Sequence, residues 1–545
     1  MRTTSFISIL LCFHLAVNAQ MTCNAVSQNS FLATDISNPI DEYFIQHPDK
    51  QFHSSLKPFN YVILNKLNDD KINYKHVGIH NYLMTIQTPD SSKAKNKLRL
   101  QILPQINIEQ GKDLLTNKWT NSTSGGLYLK LEANKKFTAA ATYIAGYVTA
   151  PNFNDTIIQD FGIVPGMGMA YPTKQIENGS VAPIKSQLTY SNQNFSGYVS
   201  YSPRNFINLQ VGKDKHFVGD GYRSLLLSDV ANNYPYFKTS FNIWKLQYSV
   251  WYSWFNNIQD ANGMKKDFKN KYGTFHYLSW NATKNLNFSI FENVIFQGTD
   301  TTRSRGFDPN YLNPVIFYRP VEYSLGSSDN SMLGFNFKAT IAKSVKLYGQ
   351  VVLDEFYLKE IRAKNGWWAN KQGFQVGAKY INAFTIKKLT LQAEYNLVRP
   401  YTYSHGSPDQ SYTHFNQSLA HPFGANFKEA IGIVSYKHYR YRLEGKFIYA
   451  EIGRDSLTNS NVGQNPFLSY TTRPKEYGHY IGQGVKTTFM QAEIKYTYYL
   501  IADWNLRIEA GLIQRLYQND RGFDKQTPFI YVGIKTNLHN NYRDF

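Results

Sequence analysis

The sequence predicts an all-β protein, a transmembrane antiparallel β-barrel of about 16 to 18 strands with a small N-terminal periplasmic or plug element. Three observations predict it. Strand-length stretches alternate apolar and polar side chains with a period of two. The chain opens on a short apolar leader, and no later apolar run is long enough to span a bilayer as a helix.

The alternation is clearest in EIKYTYYLIADWNLRIEAGLIQ, Glu493 to Gln514. One face reads Ile494, Tyr496, Tyr498, Leu500, then Trp504, Leu506, Ile508, Ala510, Leu512; the other reads Glu493, Lys495, Thr497, then Asn505, Arg507, Glu509. The same holds for Leu127, Leu129 and Leu131 against Tyr128, Lys130 and Glu132, with a tight turn at Lys135-Lys136 before the next strand. Tyr439, Tyr441, Leu443 and Phe447 alternate likewise with Arg440, Arg442, Glu444 and Lys446. Nineteen candidate strands lie near residues 98, 127, 137, 184, 195, 205, 236, 245, 272, 285, 331, 345, 373, 387, 427, 439, 488, 503 and 527. Short links alternate with long loops at roughly 300 to 330, 397 to 427 and 452 to 487, the asymmetry of barrels with short periplasmic turns and long outer loops.

A soluble sandwich would also alternate, but its inner face would be built of Leu, Ile and Val. Here that face is rich in Tyr, which prefers the headgroup level of a bilayer. The chain holds 41 Tyr and 36 Phe, an aromatic share of 16%, against 18% charged residues. An Arg or Lys turned toward mid-bilayer lipid costs about 2 to 4 kcal/mol, so a one-residue slip of register is excluded.

The leader MRTTSFISILLCFHLAVNAQ has a basic Arg2, an apolar run from Phe6 to Val17 and small residues placed for cleavage after about Ala19. Sec export to the outer membrane of a Gram-negative bacterium is expected. The segments are 1–19 signal peptide, 20–95 periplasmic or plug segment, and 96–545 outer-membrane barrel. Only Cys23 remains after cleavage, so no intrachain disulfide is available. Phe545 ends the chain, as the barrel-insertion machinery typically reads, although NLHNNYRDF is too polar for a full lipid-facing strand. The net charge of +19 favours anionic headgroups and acidic polysaccharides as partners. No helix-turn-helix or zinc-finger spacing points to nucleic acid.

Enzyme signatures are missing: there is no G-x-S-x-G and no H-E-x-x-H, and GQGVKT at Gly482 to Thr487 lacks phosphate-loop spacing. Asp354 and Glu355 adjoin on a strand and are expected to point to opposite faces, not to cooperate as an acid pair. His405, His414 and His421 share a loop; hydrogen-bonding roles outweigh a metal site. Neither metal nor cofactor is expected.

Three loop-rich segments mix Arg, Asp, His and Asn with Tyr: Gly212 to Lys238, Asn313 to Gly334, and Val398 to Glu429. Such mixtures suit sugars, with rings stacking on pyranose faces and planar polar groups binding hydroxyls or a carboxylate. They equally suit loops folded inward, with Arg223, Arg319 and Arg399 tying carboxylates and carbonyls. The candidate polysaccharide ligands are Asp220, Tyr222, Arg223, Tyr318, Arg319, Glu322, Arg399, Tyr403, His405, His414, Asn416 and His421.

The phrases VGDGYRSLLLSD, NPVIFYRPVEYS and RPYTYSHGSPDQSYTHFNQSLAHPFGANF, with the closing YRDF, resemble the Wzi-type capsule-assembly outer-membrane barrels, above all the Bacteroidota branch labelled RemB and associated with gliding motility. The similarity spans most of the chain after about residue 40. It implies a barrel of about eighteen strands with a helical plug, and binding of surface polysaccharide without catalysis. The leading expectation is therefore a non-enzymatic barrel that binds or organises acidic, capsular-type polysaccharide, possible partners including other envelope or gliding-machinery proteins. The alternative is a channel for anionic solutes, its lumen lined by Lys130, Lys346, Arg440, Arg442, Lys446, Lys495 and Arg507. A third class is a secreted polysaccharide hydrolase.

Overall fold

The computed structural model describes residues 29–60, 84–87, 98–134, 136–172, 176–177, 180–181, 188–259, 267–299, 306–315, 329–355, 357–456 and 460–545. Aromatic and β-branched residues with period-two alternation form eighteen long antiparallel strands that close into one barrel. In chain order they are β1 (Leu98–Asp113), β2 (Trp119–Ala133), β3 (Phe137–Thr149), β4 (Thr189–Arg204), β5 (Ile207–Asp214) and β6 (Tyr234–Ile243). There follow β7 (Leu246–Asn257), β8 (Lys269–Asn281), β9 (Leu286–Gln297), β10 (Asn330–Ile341), β11 (Val345–Glu355) and β12 (Lys371–Ile381). The last are β13 (Leu389–Val398), β14 (Phe427–His438), β15 (Tyr441–Arg454), β16 (Val485–Ile501), β17 (Leu506–Asn519) and β18 (Asp524–Lys535). Each pairs with its sequence neighbour, and β18 closes on β1 from Phe529↔Asp113 to Lys535↔Asn107, which leaves no free edge. A short strand at Met84–Gln87 also pairs with β1.

Eighteen of the nineteen expected strand positions fall on or within three residues of these strands; the one near 184 lies outside the described residues, as do the leader and Lys135. One end of the barrel carries eight connections of two to seven residues, the shortest at 205–206, 244–245 and 439–440, and the start of β1 and end of β18 lie there too. The other end carries the long connections, including 298–329, 399–426 and 455–484. Among the described residues no helix is long and apolar enough to cross a membrane.

The two faces separate as the alternation requires. Along β15 to β17 the outward Leu443, Ile494 and Leu512 are exposed by 51%, 58% and 46%, while Gln491, Thr497 and Arg507 point inward and are buried. The outward face of β7 to β9 differs, because the chain after β9 lies on it. Phe307 packs on Tyr252, Trp254, Tyr272 and Phe296, and the hydroxyls of Tyr252 and Tyr248 donate to the carbonyls of Leu312 and Pro314. On the same wall the cross-strand pair His276 and Glu292 is fully buried, with Nδ1 and Oε2 3.5 Å apart.

Inside, helix α1 (Thr34–Gln46) meets the wall at the short-turn end. Its Asp35 pairs with Arg442 and Arg507, and its Asp41 with Lys346 at 2.6 Å and Lys379 at 3.1 Å. Leu56–Lys57 then pairs with Phe217–Val218 of the β5–β6 loop.

Three local expectations are corrected. Arg440 sits in the β14–β15 turn and is exposed, not in the lumen. Asp354 and Glu355 do not diverge: the register shifts between Leu353 and Glu355, and this bulge brings both carboxylates to Lys371 Nζ, at 3.2 and 3.1 Å. Phe545 is not on a terminal strand. The last strand ends at Lys535, and residues 536–545 turn back into the lumen, where Phe545 packs against the interior apolar cluster.

Candidate functional site

The lumen has its own core. Leu225, Leu226 and Leu227 from the β5–β6 loop pack with Tyr403, Tyr412, Leu419 and Phe423 from the β13–β14 loop, against the inward Trp251, Phe275 and Phe291. The hydroxyls of Tyr403 and Tyr412 donate to the carbonyls of Leu225 and Leu226, at 2.8 and 2.7 Å. Burial of a tyrosine is tolerable when its hydroxyl has such a partner. Both loops thus fold inward, one of the two outcomes that their composition allowed.

Beneath this core lies a charged latch. Arg223 donates to Glu429 at 3.3 Å, to the Asp544 carboxylate at 3.1 Å and to the Asp544 carbonyl at 2.8 Å. Lys446 reaches Asp544 at 2.7 Å and Glu493 at 3.0 Å, and the Tyr222 hydroxyl donates to Asp544. Burial alone would raise the Asp544 carboxyl, but Arg223 and Lys446 outweigh it and hold it well below the usual carboxylate range. Asp220 follows the same logic. Burial opposes its charge, yet Lys346, Lys338 and Lys57 keep it ionised, and Ser54 and Ser55 both donate to it.

Of the expected ligands, Asp220, Tyr222, Arg223, Tyr403 and His421 gather in this lumen system. His421 is pushed down by burial despite Glu429; its Nδ1 accepts from the Phe423 N–H, so Nε2–H donates to Glu429 at 2.7 Å. His414 is likewise lowered, to about 3, by burial; its Nδ1 accepts from the Asn256 N–H and its Nε2 faces the Asn233 carbonyl at 3.4 Å. Asn416 donates to the Phe161 carbonyl at 3.0 Å, at the long-loop end. The three histidines thus serve separate partners. Tyr318, Arg319 and Glu322 lie outside the described residues.

The remaining two, Arg399 and His405, support a different surface. Arg399 Nε donates to the Asn370 carbonyl at 2.7 Å and its guanidinium to the Trp367 carbonyl at 3.3 Å. His405, lowered to about 4 by burial and by Lys371, packs edge-on to Tyr470 at 5.5 Å. Above them the β11–β12 and β15–β16 loops are zipped by backbone bonds: Trp368 N to Glu476 O at 3.0 Å, Gly478 N to Asn365 O at 2.8 Å, His479 N to Gly366 O at 2.9 Å. Gly366, at φ +69°, is required there, since a Cβ would stand 2.7 Å from the His479 nitrogen.

This zipper carries an aromatic ledge at the long-loop end. Trp368 packs on Tyr470 at 4.6 Å, the Arg473 guanidinium stacks over Trp368 at 4.1 Å, and Trp367 lies beside Tyr357. Tyr357, Tyr477 and Tyr480 are exposed, Tyr480 by 61%, and Lys359, Arg362 and Lys364 line the same loop in contact with solvent. Sequence reasoning missed the ledge. Its one legible sign is the doublet Trp367-Trp368 after a glycine, in a loop with no strand period.

Of the cations expected to line an anion path, all but the turn residue Arg440 are inward, and each of these is paired: Lys130 with Glu132, Lys346 with Asp41 and Asp220, Arg442 with Asp35 and Glu444, Lys446 with Asp544 and Glu493, Lys495 with Glu444, Arg507 with Glu509.

No protein-family model matches the chain, and no curated protein matches it in sequence. Among solved structures, it is similar to Wzi of Escherichia coli, described as an outer-membrane protein involved in group 1 capsule assembly and a carbohydrate-binding β-barrel. The TM-score is 0.54 at 12% identity, over 93% of this chain and 98% of that one. It also aligns with OprD of Pseudomonas aeruginosa, TM-score 0.40, 10% identity, 80% and 94% covered, and with OccAB2 of Acinetobacter baumannii, TM-score 0.41, 10% identity, 80% and 96% covered. The chain is a closed antiparallel barrel of eighteen strands, and its fold is similar to that of the Wzi β-barrel.

Proposed function

We propose that this protein is an outer-membrane barrel that binds acidic surface polysaccharide at its long-loop end, without catalysis. The observation that carries the reading is the ledge of Trp367, Trp368, Tyr357, Tyr477 and Tyr480 beside Arg473 and exposed lysines. Flat rings suit pyranose faces, the Arg473 guanidinium can exchange its solvent-exposed partner Glu476 for a uronate carboxylate, and the backbone zipper fixes the ledge so that little ordering entropy is lost on binding. The apolar outward face supports residence in a bilayer, with the short-turn end toward the periplasm. The leader supports Sec export with cleavage after about Ala19. That the structurally similar Wzi barrel is described as carbohydrate-binding agrees with the reading. A role in capsule assembly or gliding, and a place in the RemB-like Bacteroidota branch, belong to the same proposal on the strength of the three resembling segments.

The test is binding of the detergent-purified chain to alginate, a polyuronate, with dextran as the neutral control. Alginate is expected to bind, and the combined Trp367→Ala and Arg473→Ala variant to lose about tenfold or more in affinity. Equal binding of dextran, or an unchanged affinity in the variant, rejects the ledge.

A further inference from the structure

At the short-turn end a cavity of about 300 Å³ lies between helix α1 and the inner wall of β13 to β15, roofed by Tyr222 and Tyr542 of the latch. Its size falls at the lower end of small-molecule sites. Its wall is ordered by the register of β13 and β14. At the mouth stand Lys388 and Lys437, adjacent across the strands, the Lys437 N–H donating to the Lys388 carbonyl at 3.2 Å. One step deeper Thr390 faces Ser435, and deeper still Gln392 faces Ile433. The wall thus runs from positive charge at the entrance, through hydroxyls, to an amide beneath tyrosine rings.

Charge matching selects the ligand. Arg442 on the neighbouring strand is consumed by Asp35 and Glu444, and Lys379 by Asp41. On the helix side Glu42 remains, accepting from the Thr390 hydroxyl at 3.0 Å. Among the described residues neither Lys388 nor Lys437 has a carboxylate within ion-pair distance, so two ammonium groups at the mouth face one residual carboxylate. Over the whole lining, the five cations Lys57, Lys379, Lys388, Lys437 and Arg442 meet the four carboxylates Asp35, Glu42, Asp229 and Glu444, an excess of one positive charge. A dianion overfills it, and a neutral sugar leaves it unmet.

We propose that this chamber is a second binding site, for a singly charged sugar acid of one or two residues. The carboxylate sits between Lys388 and Lys437, and the ring hydroxyls bond Thr390, Ser435 and Gln392. The site opens at the opposite end of the barrel from the aromatic ledge and shares no residue with it, so the inference stands apart from the ledge reading.

Isothermal titration of the detergent-solubilised full chain with D-glucuronate, D-glucose and inorganic phosphate tests it. Glucuronate is expected to bind about tenfold or more tightly than either control, and Lys388→Ala with Lys437→Ala to lose that advantage. Lys388→Arg with Lys437→Arg is expected to retain it, and Trp367→Ala to leave it unchanged. Both lysines are exposed, and unaltered heat-modifiable gel mobility confirms that the variants are folded. Absent glucuronate binding, glucose or phosphate binding as tightly, or a double alanine variant that binds as the parent does overturns the proposal. Loss in Trp367→Ala alone places the sugar acid on the ledge and also overturns it. Alginate binding by the double alanine variant reads the ledge separately, so the two readings fail independently.

Discussion

Arg223 and Asp544, 321 residues apart in sequence, meet in the lumen with the guanidinium 3.1 Å from the carboxylate, and neither side chain reaches solvent. The pair ties the β5–β6 loop to the last two residues of the chain, and Glu429 and Lys446 join both to the wall. A buried pair adds little net stability over an apolar equivalent, yet removing one partner leaves the other charged and desolvated.

Asp544→Ala is therefore expected to destabilise the protein by about 3 kcal/mol. Urea titration followed by heat-modifiable gel mobility measures it. The pH dependence follows in sign. A carboxyl depressed in the folded state gives stability that is fully present above its ordinary value of 3.8 and is lost as pH falls toward the depressed one. The parent protein should lose stability below about pH 4, and Asp544→Ala should lose less over that window. A flat parent profile contradicts the latch.

Gly366→Ala tests the zipper under the ledge. The added methyl meets the His479 backbone at a left-handed φ, so the expected cost is about 1 to 3 kcal/mol, confined to the two loops. Limited proteolysis should show faster cutting within 356–370 or 455–484 with the barrel intact, and alginate affinity should fall with it.

Lys371→Met leaves Asp354 and Glu355 facing each other at the bulge without their shared cation. A loss of about 3 kcal/mol is expected, and Asp354→Asn in the same chain should restore part of it. Additive effects of the two changes in denaturation curves would show that the carboxylates do not share the lysine.

Photoreactive lipid should label Leu443, Ile494 and Leu512 on the bare outward face and spare Val294 and Phe296. The latter two are fully buried on the wall that Phe307 and Tyr311 cover. Equal labelling of both walls removes residues 306–315 from the barrel's outside.

The strands were legible because outward-facing and lumen-facing positions alternate with the pleat, a signal each strand carries by itself. Lys130, Lys346, Arg442, Lys446, Lys495 and Arg507 could thus be placed inward from sequence. Their strand partners Glu132, Glu444, Glu493 and Glu509 share that alternating face, but Asp35, Asp41 and Asp544 could not be foreseen, since they arrive from the two ends of the chain with no periodic mark. The Asp354–Glu355 bulge was invisible for a related reason: one extra residue breaks the alternation without changing composition. Arg440 was misplaced because alternation continues on paper through a two-residue turn. Arg223 and Tyr403 stand in loops of unusual composition, but composition does not say whether a loop faces the polymer or the lumen. Trp367, Trp368 and Arg473 went unnoticed because their arrangement depends on two loops about 100 residues apart.

Single-channel recording in planar bilayers tests the central claim, that the chain's own loops and tail occupy the lumen and close it to transport. The full chain should be silent at all voltages, and deletion of residues 536–545 should open a conductance by removing the latch. Steady anion conductance in the intact protein would contradict the account and restore the paired cations to the role of a transport path.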